Sequence, residues 1–310
     1  MKRIFCAALA LLLLAGCAGE ESPSSSTPDT AVTVTDMTGR AVTLDAPATR
    51  VVALTAADCE ILFAVGAGDT LVGRGTYCNW PEEAQDAPAV ESGAGTNLEE
   101  IIALKPQVVL MNTMAQTVDQ VEALEKAGIR VVTSAAEDID GVYTSIALIG
   151  AVTGHDTEAA DLVADMKASF SDVAARAVGD GEKTIYFEVS PLEYGLWTAG
   201  SGTFMDELAT MLGLKNVFAD VDGWAEISQE QVIARDPDYI VTLAMSYGDG
   251  PTPVEEILGR AGWEDIAAVQ SGAVFNADSD QISRPGPRLV EAAEALCDFV
   301  YGPDTSAEAA

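Results

Sequence analysis

The chain has 310 residues, of which 49 are Asp or Glu against 16 Lys or Arg, giving a formal net charge of −33 at pH 7. Phosphate backbones and anionic headgroups repel so acidic a surface, which argues against nucleic acid and anionic membranes as partners. A single histidine, and cysteines without zinc-ligand spacing, argue against capture of a bare transition-metal ion, so no metal site is expected.

Lys2 and Arg3 precede about a dozen apolar residues, too few to span a bilayer but the length of a signal-peptide core. The run ends in Leu14-Ala15-Gly16-Cys17, the pattern of a bacterial lipobox. Residues 1–16 are therefore predicted to be removed and Cys17 to carry a lipid, fixing the protein to the outer face of the cytoplasmic membrane, in a periplasm or at the cell surface. Without Lys2 and Arg3, 14 basic residues remain. The Ser/Pro/acidic stretch of residues 17–31 cannot bury a core and reads as a tether.

"AVTVTDMTGRAVTL" alternates apolar and polar residues about Gly39, which suits a hairpin. "RVVALT", "DCEILFAVG", "TLVGRG", "NLEEIIALKP", "QVVLMN", "TVDQVEALEKAG" and "RVVTS" then alternate strand and helix. The strands are continuous β-branched runs, as in a parallel sheet covered on both faces. Residues 32–154 thus read as one α/β lobe. Residues 155–180 lack this alternation and place Leu162, Val163, Met166, Phe170, Val173 and Ala177 on one helical stripe. That predicts a connecting rod of about 33 Å. "KTIYFEVS", "TFMDELATMLGL", "SQEQVIARDPDYIV", "GAVFNA" and a closing helix in "PGPRLVEAAEALCDFV" form a second lobe over residues 181–304, with 305–310 as a tail. The predicted fold class is α/β, two Rossmann-like lobes joined by a single long α-helix. Cys59 and Cys78 fall near turns at the same end of the first lobe and are the candidate disulfide pair, whereas Cys297, in an apolar helical pattern, reads as a buried thiol.

The two lobes echo one another. "NLEEIIALKPQVVL" begins at Asn97 and "SQEQVIARDPDYIV" 131 positions later at Ser228, so Glu99 falls on Glu230, Ile102 on Ile233 and Pro106 on Pro237. Asn97 with Glu100, and Ser228 with Gln231, have the spacing of a capping box. Glu99 and Glu230 then have no capping duty, and each stands in a first helical turn where the dipole favours its charge. Two lobes would present one carboxylate each to a symmetric partner.

These elements together resemble the class III solute-binding proteins of bacterial importers driven by ATP hydrolysis, which carry cobalamin, iron-siderophores or haem. The resemblance covers about Val32 to Gly302. It implies the class III periplasmic-binding-protein fold, a monomer, and docking of Glu99 and Glu230 onto arginines of a dimeric permease that works with ATPase subunits. "GRGTYCNWPEEAQ" and "DGWAEISQEQ" look most like the cobalamin-binding branch. There, aromatics at the positions of Tyr77, Trp197 and Trp224 and an acid at that of Asp278 or Asp280 hold the ligand. The chain departs from that branch at Gly93 and Ala94, at Asn112, and in matching only Cys297 of its disulfide. The resemblance therefore implies a metal chelate in the interlobe cleft, cobalamin or a related corrinoid first, a ferric siderophore or haem second.

In α/β sheets ligands gather beyond the carboxyl ends of strands. Tyr77, Trp80, Trp197 and Trp224 fall in predicted loops there, though Trp80, with Trp263, is assigned to the core. Arg284 has two readings, pairing with a ligand carboxylate or phosphate or bridging neighbouring acids. For Arg288 the bridging reading is preferred. With Arg74 also in the cleft, an anionic siderophore or haem propionates become more attractive. His155 is expected at the edge of the connecting helix without a ligand role. No Gly-x-Ser-x-Gly elbow, phosphate loop or dinucleotide fingerprint occurs, so an enzyme is not expected.

Overall fold

The computed structural model describes residues 30–93, 95–113, 117–179, 181–245 and 250–303. The expected signal, Cys17, almost all of the tether and the tail lie outside these residues, as does Ala94. In chain order the first lobe comprises β1 Val32–Thr35, β2 Ala41–Leu44, β3 Val51–Ala53, α1 Ala56–Ala64, β4 Leu71–Gly75, β5 Ala89–Val90, α2 Leu98–Ala103, β6 Val108–Asn112, α3 Val118–Lys126, β7 Arg130–Ser134 and α4 Ile139–Thr153. Helix α5, Asp156–Arg176, leads to the second lobe. That lobe comprises β8 Thr184–Glu188, β9 Trp197–Ala199, α6 Phe204–Met211, β10 Lys215–Asn216, β11 Trp224–Glu226, α7 Gln229–Arg235, β12 Tyr239–Thr242, α8 Pro253–Leu258, α9 Ala267–Ser271, β13 Val274–Asn276, α10 Ser279–Ser283 and α11 Leu289–Tyr301.

Each lobe is built on a parallel sheet, ordered β5-β4-β3-β6-β7 in the first and β10-β8-β12-β13 in the second. Two antiparallel pairs, β1-β2 and β9-β11, stand apart from the sheets. Short polar residues set where the helices begin. Thr55, Asn97, Thr117, Asp138, Thr203, Ser228, Thr252 and Asp278 each accept a backbone N–H of the first turn of the helix they precede. Each satisfies a donor that the helix leaves unpaired.

One apolar core runs through both lobes. It joins Val51, Leu110 and Val132 of the first sheet to Ile185, Phe187 and Val241 of the second by way of Ala159, Met166, Phe170 and Val173 on α5. The connecting helix has 21 residues, slightly shorter than the predicted rod. Because its stripe is part of a shared core, separating the lobes would expose apolar surface as well as bend the helix. Helix α4, 15 residues packed on α5, is not among the elements read from sequence. Ile139, Val142, Ile146, Leu148, Ile149 and Val152 are all buried, and the exposed stripe of Asp140, Thr144 and Ala147 is too short of polar residues to make an amphipathic helix legible. His155 precedes α5, its Nδ1 3.0 Å from the Thr153 carbonyl oxygen.

Candidate interlobe binding site and docking helices

Trp197 and Trp224 lie in strands, not in the loops predicted for them. They belong to the β9-β11 ribbon, which continues from the carboxyl end of β8 through the Val189 N–H bond to the Trp197 carbonyl at 2.9 Å. Its register pairs Trp197 with Glu226 and Ala199 with Trp224. Opposed residues and alternate residues share a face of a ribbon. Both indoles and the Glu226 carboxylate therefore stand on one side. Trp197 is 41% exposed, whereas Trp224 packs its ring 5.4 Å from that of Phe204. Phe204 in turn marks a junction between lobes, its N–H donating to the Glu137 carbonyl at 2.8 Å, while the Ile139 N–H donates to Glu207 Oε2 at 2.7 Å. Tyr77, after β4 in the first lobe, is 77% exposed.

A second junction claims the charged residues that the sequence had offered to a ligand. Arg284 Nη1 lies 2.7 Å from Glu60 Oε1 and donates to Asn79 Oδ1 at 2.8 Å. Its Nη2 lies 2.6 Å from Asp280. Asn79 Nδ2 donates to Asp280 Oδ2 at 3.0 Å, so Glu60 and Asn79 of the first lobe are tied to Asp280 and Arg284 of the second. Arg288 reaches Glu60 at 3.4 Å and lies over the Trp80 ring, 4.6 Å from its centroid. The Glu60 side chain is only 2% exposed; burial raises its pKa, against the pull of Arg284 and Arg288.

Asp278, Asp280 and Arg284 thus have partners within the protein, which for Arg284 is the acid-bridging reading. Asp280 and Arg284 are engaged in the interlobe network. Asp278 caps α10, its Oδ1 accepting the Asp280 and Gln281 N–H groups at 2.9 and 3.1 Å. Trp80 is half exposed and stacked by Arg288, not part of the core, whereas Trp263 is fully buried. Arg74 makes no ion pair among the described residues; its Nη1 meets the Gly75 carbonyl at 3.4 Å and its buried Nε has no partner. Sequence reasoning missed Glu60 and Asn79. A carboxylate inside the apolar run "DCEILFAVG" signalled a buried partner, but that partner lies 224 residues away.

Cys59 and Cys78, the candidate disulfide pair, lie against one another as buried thiols in this structure. Hydrogen bonding to the Cys78 thiol, then burial, pushes the Cys59 pKa up. Cys297 is likewise a buried thiol, its Sγ 3.9 Å from the Val173 carbonyl oxygen.

The echoed segments are helices of matching construction. Glu99, Ile102 and Ala103 on α2, and Glu230, Ile233 and Ala234 on α7, are exposed, while Ile101 and Val232 are buried. Each helix is followed by a residue of positive φ, Lys105 at 52° and Asp236 at 45°, and then a buried proline. These are the two non-glycine residues with positive φ among those described. Of the two echoed helices, α7 alone has the full capping box, in which Ser228 and Gln231 exchange bonds of 2.8 and 3.3 Å. At Asn97 the side chain accepts the Glu100 N–H, but the Asn97 N–H already donates to the Glu91 carbonyl, which leaves Glu100 no reciprocal duty. The Glu230 carboxyl is held below its ordinary pKa by backbone N–H and Ser228 hydroxyl bonds.

Residues 51–281 match the family described as periplasmic binding protein. The chain belongs to that family. This periplasmic binding protein is 34% identical over 311 residues to the uncharacterized ABC transporter substrate-binding lipoprotein YvrC of Bacillus subtilis strain 168, covering 97% of this chain and 96% of the relative. It is 30% identical over 261 residues to the vitamin B12-binding protein of Salmonella choleraesuis strain SC-B67, covering 81% of this chain and 89% of that one. Among solved structures, a possible iron-binding (periplasmic solute-binding) protein of Staphylococcus epidermidis ATCC 12228 superposes with a TM-score of 0.69 at 29% identity, over 82% of this chain and 99% of the other. The periplasmic binding protein thus has the class III architecture expected from its sequence.

Proposed function

We propose that this protein is the substrate-binding component of an ABC importer and that its cargo is a corrinoid of the cobalamin type. The relatives support the importer role, since they are named as substrate-binding and vitamin B12-binding proteins. The observation that carries the ligand reading is the pairing of Trp197 and Trp224 on one face of the β9-β11 ribbon, with Arg284 already neutralised by Glu60 and Asp280. Flat aromatic faces suit a large ring. A chelate that carries carboxylates would have to rely on Arg74 alone, since Arg284 is already neutralised. Tyr77 supplies the third aromatic from the first lobe. A ferric siderophore or haem is the second reading, favoured by the likeness to the possible iron-binding protein of S. epidermidis. Glu99 and Glu230 dock the loaded protein on a permease dimer with its ATPase subunits, and a lipid on Cys17 keeps it at the membrane.

Titrating the protein with cyanocobalamin, haemin and ferric siderophores while following tryptophan fluorescence tests this. Saturable quenching by cyanocobalamin is expected, weakened about tenfold or more by Trp197→Ala and by Trp224→Ala. A response to haemin or a siderophore without one to cyanocobalamin refutes the corrinoid, and no response to any of them refutes chelate binding.

A further inference from the structure

The carboxylate is only part of what each echoed helix offers. Ile102 is 39% exposed and Ile233 40% exposed, two of ten large exposed hydrophobics among the described residues and a pair that occupies equivalent places in the two lobes. Helix positions facing water accept any long polar residue at no cost, and a β-branched residue is a slightly poorer helix former. The two lobes nevertheless carry isoleucine at the same place, three residues after the glutamate, with alanine next to it. Residues at i, i+3 and i+4 share a helix face. Glu99, Ile102 and Ala103 therefore form one contiguous pad on α2, and Glu230, Ile233 and Ala234 form its counterpart on α7. The buried Ile101 and Val232 and the left-handed Lys105 and Asp236 hold both pads to the same backbone path.

We infer that Ile102 and Ile233 are the apolar half of the permease contact, each seating in an apolar depression beside a basic side chain on one of two symmetric permease copies. This rests on the docking role proposed for Glu99 and Glu230. The chemistry divides the labour. Charge at the rim orients the encounter and speeds association, whereas a branched side chain removed from water lengthens the life of the complex. The adjacent alanines leave room for the partner's backbone to come close.

The test is surface-immobilised binding to the importer's permease–ATPase complex in nanodiscs. Ile102→Ser and Ile233→Ser are each expected to speed dissociation about tenfold, at low and at high salt alike, with association little changed. Ile102→Val and Ile233→Val should keep most of the residence time. Glu99→Gln and Glu230→Gln should instead slow association, an effect that fades as salt rises. Melting temperature and ligand quenching of the serine variants, unchanged from the parent, show that the lobes are intact. Dissociation at the parental rate in the double serine variant, with association still slowed in the glutamine variants, overturns the inference and leaves the docking role standing. Parental binding in the glutamine and serine variants alike overturns both.

Discussion

Arg284→Met tests whether the ion network between the lobes holds Glu60 in its charged form. Methionine keeps much of the arginine stem's volume but removes the cation 2.7 Å from a carboxylate that is 2% exposed. Breaking a buried pair from one side typically costs about 3–5 kcal/mol because a charge is left behind. Here Arg288 still reaches Glu60 at 3.4 Å, which places the loss near the lower end, about 3 kcal/mol at pH 8. The sign of the pH dependence follows from burial, which already raises the Glu60 pKa. Removing Arg284 raises it further. The folded protein then prefers a neutral Glu60, and stability is lost as pH rises through the new folded value. Urea unfolding between pH 5 and 8 should show the gap between parent and variant widening with pH. Adding Glu60→Gln to Arg284→Met should recover much of the loss, since it removes the stranded charge. A gap that is constant with pH, or a second substitution that only adds damage, would refute this account of the network.

Asp58 is fully buried, and burial raises its pKa to about 6 against hydrogen bonds from Thr55 and Ser134. Its ionisation should cost the fold about 3 kcal/mol as pH rises from 4 to 7. Asp58→Asn should lack that loss, so parallel pH–stability curves for parent and variant would count against it. Lys105, with φ of 52°, should tolerate glycine, and Lys105→Gly is expected to raise stability by about 1 kcal/mol; a decrease in the urea midpoint would contradict that. In protein beginning at Val32, Ellman's reagent should find no reactive thiol in the native state and three after denaturation, because Cys59, Cys78 and Cys297 are all buried. Rapid native labelling would contradict their burial, and a single thiol after denaturation would mean that Cys59 and Cys78 had joined.

The alternation of strand and helix, the connecting rod and the echoed helices were legible because they are local. Hydrophobic period, cap residues and a proline at a fixed offset are written within one or two turns of chain. Helix α4 escaped because its exposed stripe, Asp140, Thr144 and Ala147, is too weakly polar to set off the apolar face. The ribbon escaped because β9 and β11 are three residues each, too short for alternation to register.

The sequence by itself determined the two α/β lobes, the helix between them and the exposed carboxylate on each. All follow from neighbours along the chain. Only the tertiary structure decided that Arg284 and Asp280 belong to Glu60 and Asn79, that both indoles share a ribbon face, and that Cys59 lies against Cys78. Those pairings join residues far apart in sequence, and their energy comes from burial and charge at one point in space, which no local pattern records.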